Sequence, residues 1–121
     1  MNRKPIGDAI AELERHLDSV ARVYEWAYLM NYKDSKLFSR HFLRHFRLRP
    51  SKVLKRVRLQ SIIKQLRQNG ESCIKIAWAH SLPDEKALYN FTNRHLAKSP
   101  TQLKALSDKE AEEVLIALED N

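Results

Sequence analysis

The chain has 121 residues and a net charge of +7, from 22 Lys and Arg against 15 Asp and Glu. That length suits one ordinary domain or two very small ones, and although 43% of the residues are apolar, none of them form the run of about 18–20 that a membrane span needs. Two glycines and four prolines are too few for the tight turns of a sandwich or barrel, and the single Cys73 excludes an internal disulfide and suits a reducing compartment.

Arg3 and Lys4 are followed by no apolar stretch, so no secretory signal is expected. Ile10, Leu13 and Leu17 predict an amphipathic helix over 8–17. Ser19 is the expected cap of a second helix over 20–30, which holds Val23, Tyr24, Trp26, Leu29 and Met30. A polar corner over 31–34 leads to a third helix, 35–46. There Phe38, Phe42 and Phe46 share one face, and Lys36, Ser39, Arg40 and Arg44 lie on the other. Arg49-Pro50 ends it, because the residue before proline avoids the α region.

A longer helix over 51–68 follows, with Val53, Leu54, Val57, Ile62 and Leu66 as its apolar set and Asn69-Gly70 as its stop. Ser72 caps a helix over 73–80, a corner occupies 81–84, and another helix spans 85–96, closed by Ser99-Pro100. Ser107 and Glu110 have capping-box spacing and open a last, acidic helix to about Leu118. Nothing alternates with period two, so the chain reads as all-α. Residues from Asp108 onward carry −5 and the first 107 carry +12. A basic body of that size attracts polyanions, nucleic acid above all; a merely basic, soluble surface is the alternative.

Two parts of the chain match at an offset of fifty residues. Identical pairs are Ala27 and Ala77, Asp34 and Asp84, Lys36 and Lys86, Arg44 and Arg94, His45 and His95, and Pro50 and Pro100. Each copy reads helix, corner, helix, proline, which is the helix-turn-helix layout. Ala27 and Ala77 supply the small residue where two helices cross. Four residues later the backbone must turn, usually with positive φ, where Asn31 is tolerable and Ser81 a poorer choice.

The segment from Trp26 to Pro50, with Asn31-Tyr32 at the corner, Phe38-Ser39-Arg40-His41-Phe42 in the helix and Pro50 beyond Phe46, resembles the DNA-binding signature of AraC/XylS-type bacterial transcription regulators. Val57-Arg58-Leu59 resembles the start of that family's linker helix, and Ile76 to Pro100 fits the same register without a gap. The resemblance spans about residues 8–106. Where the family has glycine, this chain has Asn31, Arg47, Ser81 and Ala97; Thr92 replaces an aromatic, and Ile62 stands where alanine is frequent.

The organisation expected is homeodomain-like: helix-turn-helix subdomains over 1–50 and 70–106, a linker helix over 51–69 and an acidic helix over 107–121. The resemblance implies a cytoplasmic, nucleoid-associated DNA-binding regulator that sits on duplex DNA as a monomer. It implies base contacts from Lys36, Ser39 and Arg40 in the first copy and from Glu85, Lys86, Tyr89 and Asn90 in the second. Arg and Lys suit guanine O6 and N7, Asn suits adenine, and Glu can accept from cytosine N4. Phosphate contacts are expected from Lys33, Arg44, His45, Arg47, Lys52, Asn93 and Arg94. Ordinary solvated charge is the alternative for all of these, most of all in the second copy, where Glu85 repels phosphate.

His41 and His45 are four apart, but no third ligand is nearby, so no metal is expected. No phosphate loop, acid pair or nucleophile constellation occurs, so neither a cofactor nor an enzymatic activity is expected. Trp26, Trp78 and Cys73 read as core residues. The acidic helix either completes the core or presents Glu110, Glu112 and Glu113 to a partner, such as RNA polymerase or another regulator, or shields the basic surface. The rival reading of the whole chain is a degenerate protein-interaction module that binds DNA only non-specifically.

Overall fold

Apolar residues three and four apart give each helix one face to bury. The computed structural model describes residues 2–68 and 70–119, and among them every regular element is helical. After a 3-10 turn at Ile6–Asp8 come α1 (Ala9–Arg15), α2 (Val23–Leu29), α3 (Ser35–Phe46), α4 (Pro50–Arg67), α5 (Cys73–Ala79), α6 (Glu85–Leu96), α7 (Pro100–Ala105) and α8 (Asp108–Glu119). They form two compact units, Met1–Val57 and Arg58–Asn121.

The first unit is built on aromatic packing. Trp26, Phe38 and Phe42 are fully buried, with the indole ring 5.4 Å from Phe38 and 4.9 Å from Phe42. The Trp26 indole N–H donates to the Ala9 carbonyl at 3.0 Å, which ties α2 to α1. Leu13, Met30, Val53 and Val57 complete this core. Ser19 does not cap α2. Its hydroxyl turns back to the His16 carbonyl, and the Glu25 carboxylate instead accepts from the Ala21 and Arg22 amides. The helix consequently starts three residues later than the sequence suggests.

In the second unit the equivalent core is aliphatic. Ile76 takes the place of Trp26, Leu88 of Phe38 and Thr92 of Phe42, and all three are buried. Thr92 satisfies its hydroxyl on the Tyr89 carbonyl at 3.2 Å, so a polar residue is accommodated where the first unit has a ring. Helix α4 supplies Leu59, Ile62, Ile63 and Leu66 to this core, after supplying Val53, Leu54 and Val57 to the other. Its C-terminal stop is partly visible: Gly70 has φ +96°, whereas Asn69 lies outside the described residues.

Helix α7 differs from the sequence expectation, in which Ser99-Pro100 is an ending. That pair is also a beginning: Ser99 and Gln102 form a reciprocal cap, and Pro100 occupies the first turn. The box predicted at Ser107 and Glu110 is present, with bonds of 2.9 and 3.1 Å. Helix α8 buries Ala111 and Leu118, and packs Val114 and Leu115 on the second core. The Arg67 guanidinium secures its start by donating to the carbonyls of Leu103 and Leu106 and to Asp108 at 2.8 Å.

Candidate nucleic-acid interface

Each unit holds a helix pair joined by a tight corner, and the two corners share their two turn-closing bonds. Tyr32 N–H donates to Ala27 O at 2.9 Å, and Leu82 N–H to Ala77 O at 2.9 Å. Asn31 N–H donates to Tyr28 O at 2.9 Å, and Ser81 N–H to Trp78 O at 3.3 Å. Asn31 has φ 65° and Ser81 has φ 62°, so serine makes the same turn as asparagine with a looser bond. Asp34 then caps α3 through the Lys36 amide at 2.9 Å, and Asp84 caps α6 through the Ala87 amide at 2.8 Å. At the far ends Arg47 and Ala97 again match, with φ 63° and 56°. Every non-glycine residue with positive φ among the described ones stands where the resemblance led one to expect glycine.

These corners orient α3 and α6 with their apolar sides inward. On α3, Lys36, Arg40, Arg44 and His45 are exposed and Ser39 is half-buried. Lys33 and Arg47 are exposed at its two ends, and Lys52 on the first turn of α4. Arg40, Leu43, Arg44 and Arg47 line one groove. A neighbouring groove is lined by Ser39, Arg40 and Leu43 with Val23, Arg49, Pro50 and Ser51. Arg49, at the helix end, is an additional exposed cation of this groove.

On α6, Glu85, Lys86, Tyr89, Asn90 and Arg94 are exposed. Asn93 is half-buried, and its amide nitrogen donates to the Tyr89 carbonyl at 2.8 Å, so only part of its hydrogen-bonding capacity faces outward. Trp78 is not a core residue. It is 57% exposed, and its indole N–H donates to Pro83 O at 3.1 Å across the corner. In the repeat Trp78 corresponds to the exposed Tyr28, while the buried Trp26 corresponds to Ile76. Cys73 is half-buried, at the edge of the second core.

Charge is divided unevenly. The first unit carries +7 and the second is neutral, the acids beyond residue 107 offsetting its bases. A phosphate-binding face is thus electrostatically favoured in the first unit. The Nδ1 of His41 shares a 2.8 Å hydrogen bond with the Tyr32 hydroxyl. No group of three or more potential ligands occurs among the described residues, and no described helix is long and apolar enough to cross a membrane.

Two arrangements near the corners had no sequence signal. In the first unit, the segment before α1 lies against the turn. Lys4 N–H donates to Met30 O at 3.1 Å, Asn31 donates to Asn2 O at 3.0 Å, and the Arg3 guanidinium sits 5.1 Å over the Tyr32 ring. In the second unit, His80 is fully buried. Its Nδ1 must donate to the Ile76 carbonyl, at 2.7 Å, so in the neutral ring Nε2 accepts from the Ser61 hydroxyl at 2.7 Å. Arg58 donates to the His80 carbonyl at 2.7 Å and lies 4.6 Å over the Phe91 ring.

No protein-family model matches the chain, and no curated protein does either. Solved structures do match. The DNA-binding domain of AdpA, a global transcriptional factor crystallised with a target DNA, is similar at a TM-score of 0.68 with 22% identity, over 84% of this chain and 91% of that one. A transcriptional regulator with an AraC-type DNA-binding domain from Chromobacterium violaceum is similar at 0.64 with 19% identity, over 83% and 88%. The chain therefore has the fold of an AraC-type DNA-binding domain, two helix-turn-helix subdomains in one all-helical chain.

Proposed function

We propose that this protein is a sequence-specific, DNA-binding transcription regulator of AraC type, acting inside a bacterial cell as a monomer on its site. The observation that carries this reading is the duplicated corner and following helix, with one left-handed residue at the corner and one at the helix end in each copy, presenting a polar recognition face each time. Helices α3 and α6 would enter successive major-groove segments about 34 Å apart. Lys36, Ser39 and Arg40 read bases from α3; Glu85, Lys86, Tyr89 and Asn90 read them from α6. Lys33, Arg44, His45, Arg47, Lys52, Asn93 and Arg94 hold phosphates. That the AdpA domain was crystallised on a target DNA supports this reading. The exposed acids of α8 are the surface for RNA polymerase or another regulator.

Selection from random duplexes at about 150 mM salt, where non-specific binding is already weak, tests it. The expected result is a motif of two blocks about one helical turn apart. Arg40→Ala should abolish the block read by α3, since a bidentate base contact contributes about 1–3 kcal/mol of discrimination. A single block would restrict base reading to the first unit, with the second only anchoring. The neutral charge of the second unit and the exposed Glu85 favour one further reading, an interaction module that binds DNA without sequence preference. No enriched motif, together with one dominant protein partner, would establish that instead.

A further inference from the structure

We propose that Arg3, held against the corner by Tyr32, is a phosphate contact on the side of α3 opposite to α4. The inference rests on the DNA-binding reading of α3. A helix with its side chains is about 10–12 Å across and the major groove about 12 Å wide, so whatever protrudes beside a recognition helix meets one of the two backbones that wall the groove. On one side of α3, the groove that contains Ser39 and Leu43 is bounded by Arg49, Pro50 and Ser51; the cations of α4's start serve that wall. On the other side, His41 and His45 turn toward the N-terminal segment. His41 bonds to Tyr32, and a Cβ on Gly7 would lie 3.5 Å from the His45 ring. Residues 2–7 therefore run along that flank.

Arg3 is the exposed cation of this segment. Lys4 is committed to Glu12 at 3.3 Å, whereas Arg3 has its guanidinium over the Tyr32 ring at 5.1 Å. Stacking on an aromatic face leaves the guanidinium edge, with its N–H donors, free for a second partner. The segment is pinned by Lys4 N–H on Met30 O and by Asn31 on Asn2 O. The side chain is thus pre-positioned, and less conformational entropy is lost on binding.

The test is fluorescence anisotropy of a labelled random-sequence 20-base-pair duplex, titrated with the whole chain at several salt concentrations between about 50 and 200 mM. One phosphate contact contributes about 0.9 to the slope of log affinity against log salt. Arg3→Ala should lower that slope by about 0.9, and the wild-type advantage should shrink about threefold across this range. Arg3→Lys should keep the slope. Arg15→Ala, which removes the same charge from the end of α1, should leave it unchanged; thermal melts of all variants report the fold. An unaltered slope in Arg3→Ala, or an equal loss in Arg15→Ala, overturns the assignment while leaving DNA binding intact. A wild-type chain that binds no duplex at any salt overturns both.

Discussion

Four of the described residues carry a backbone conformation that their side chains disfavour: Asn31, Arg47, Ser81 and Ala97 all lie at positive φ. For an L-residue other than glycine this costs roughly 1–2 kcal/mol, while a glycine would add about 0.4–1 kcal/mol of unfolded-state entropy to be lost on folding. The first figure is larger, so relief of strain wins. Ala97→Gly should stabilise the protein by about 0.5–1 kcal/mol, a rise in Tm of a few degrees in a thermal melt. Ala97 is the best site for this experiment because it has no role proposed on DNA, whereas Arg47 has one. The chain tolerates four such residues because each corner is fixed by its amide–carbonyl bonds and by the helices on either side. Asn31 has a further reason to be present, as its side chain holds Asn2.

Among the elements, the corner between α5 and α6 contains a titratable group that its counterpart lacks: His80 stands where the first unit has the buried Met30. Burial holds the His80 pKa below its ordinary value; the bond to Ile76 O opposes this, and the Arg58 charge adds to it. The unfolded chain therefore binds a proton, near the ordinary histidine pKa of about 6.5, more readily than the folded chain does. Stability from this site is present above that pH and is lost as pH falls below it toward the folded pKa. Urea titrations between pH 7.5 and 5 should show this loss in the wild type. His80→Met, which installs the first unit's own residue, should give a flatter pH dependence at some cost at neutral pH, because Ser61 and Ile76 lose a partner. An equally steep dependence in the variant would assign the effect to other histidines.

For the whole molecule, charge is the property that separates the units. The first carries +7, the second is neutral, and the difference lies largely in the acids from Asp108 onward. Helix α8 is also structural, since Ala111 is buried and Val114, Leu115 and Leu118 belong to the second core or pack against it. Deleting it would expose that core and confuse unfolding with a change in DNA affinity. Glu112 and Glu113 are exposed, so Glu112→Gln with Glu113→Gln removes charge and leaves the packing alone. If α8 shields the basic surface, this double variant should bind a random duplex several-fold more tightly at low salt, and the gain should fade as salt rises. Equal affinity at all salt concentrations would leave α8 as a packing helix and a surface for partners.

Periodicity and capping chemistry are local properties, and they were legible in the chain. The bounds of α3 and α6, the Ser72 cap and the Ser107–Glu110 box agree with the sequence, whereas the Asp34 and Asp84 caps emerge only in the structure. The fifty-residue repeat located both corners and the left-handed Asn31 and Ser81, because the requirement for positive φ recurs at the same step in each copy, while Arg47 and Ala97 were marked only by the resemblance, as places where the family has glycine. Other features depended on partners distant in sequence. Whether Trp26 or Trp78 entered a core was set by which helix face met α1 or α4, and hydrophobicity alone does not distinguish two tryptophans. The Ser19 cap lost to Glu25, and Ser99-Pro100 opened a helix rather than closing one, because only the folded backbone shows which amides lack a partner. The seating of Arg3 on Tyr32 and the enclosure of His80 by Arg58 and Ser61 join residues 19 to 29 positions apart. Such contacts follow from packing between elements, and no local pattern in the chain encodes them.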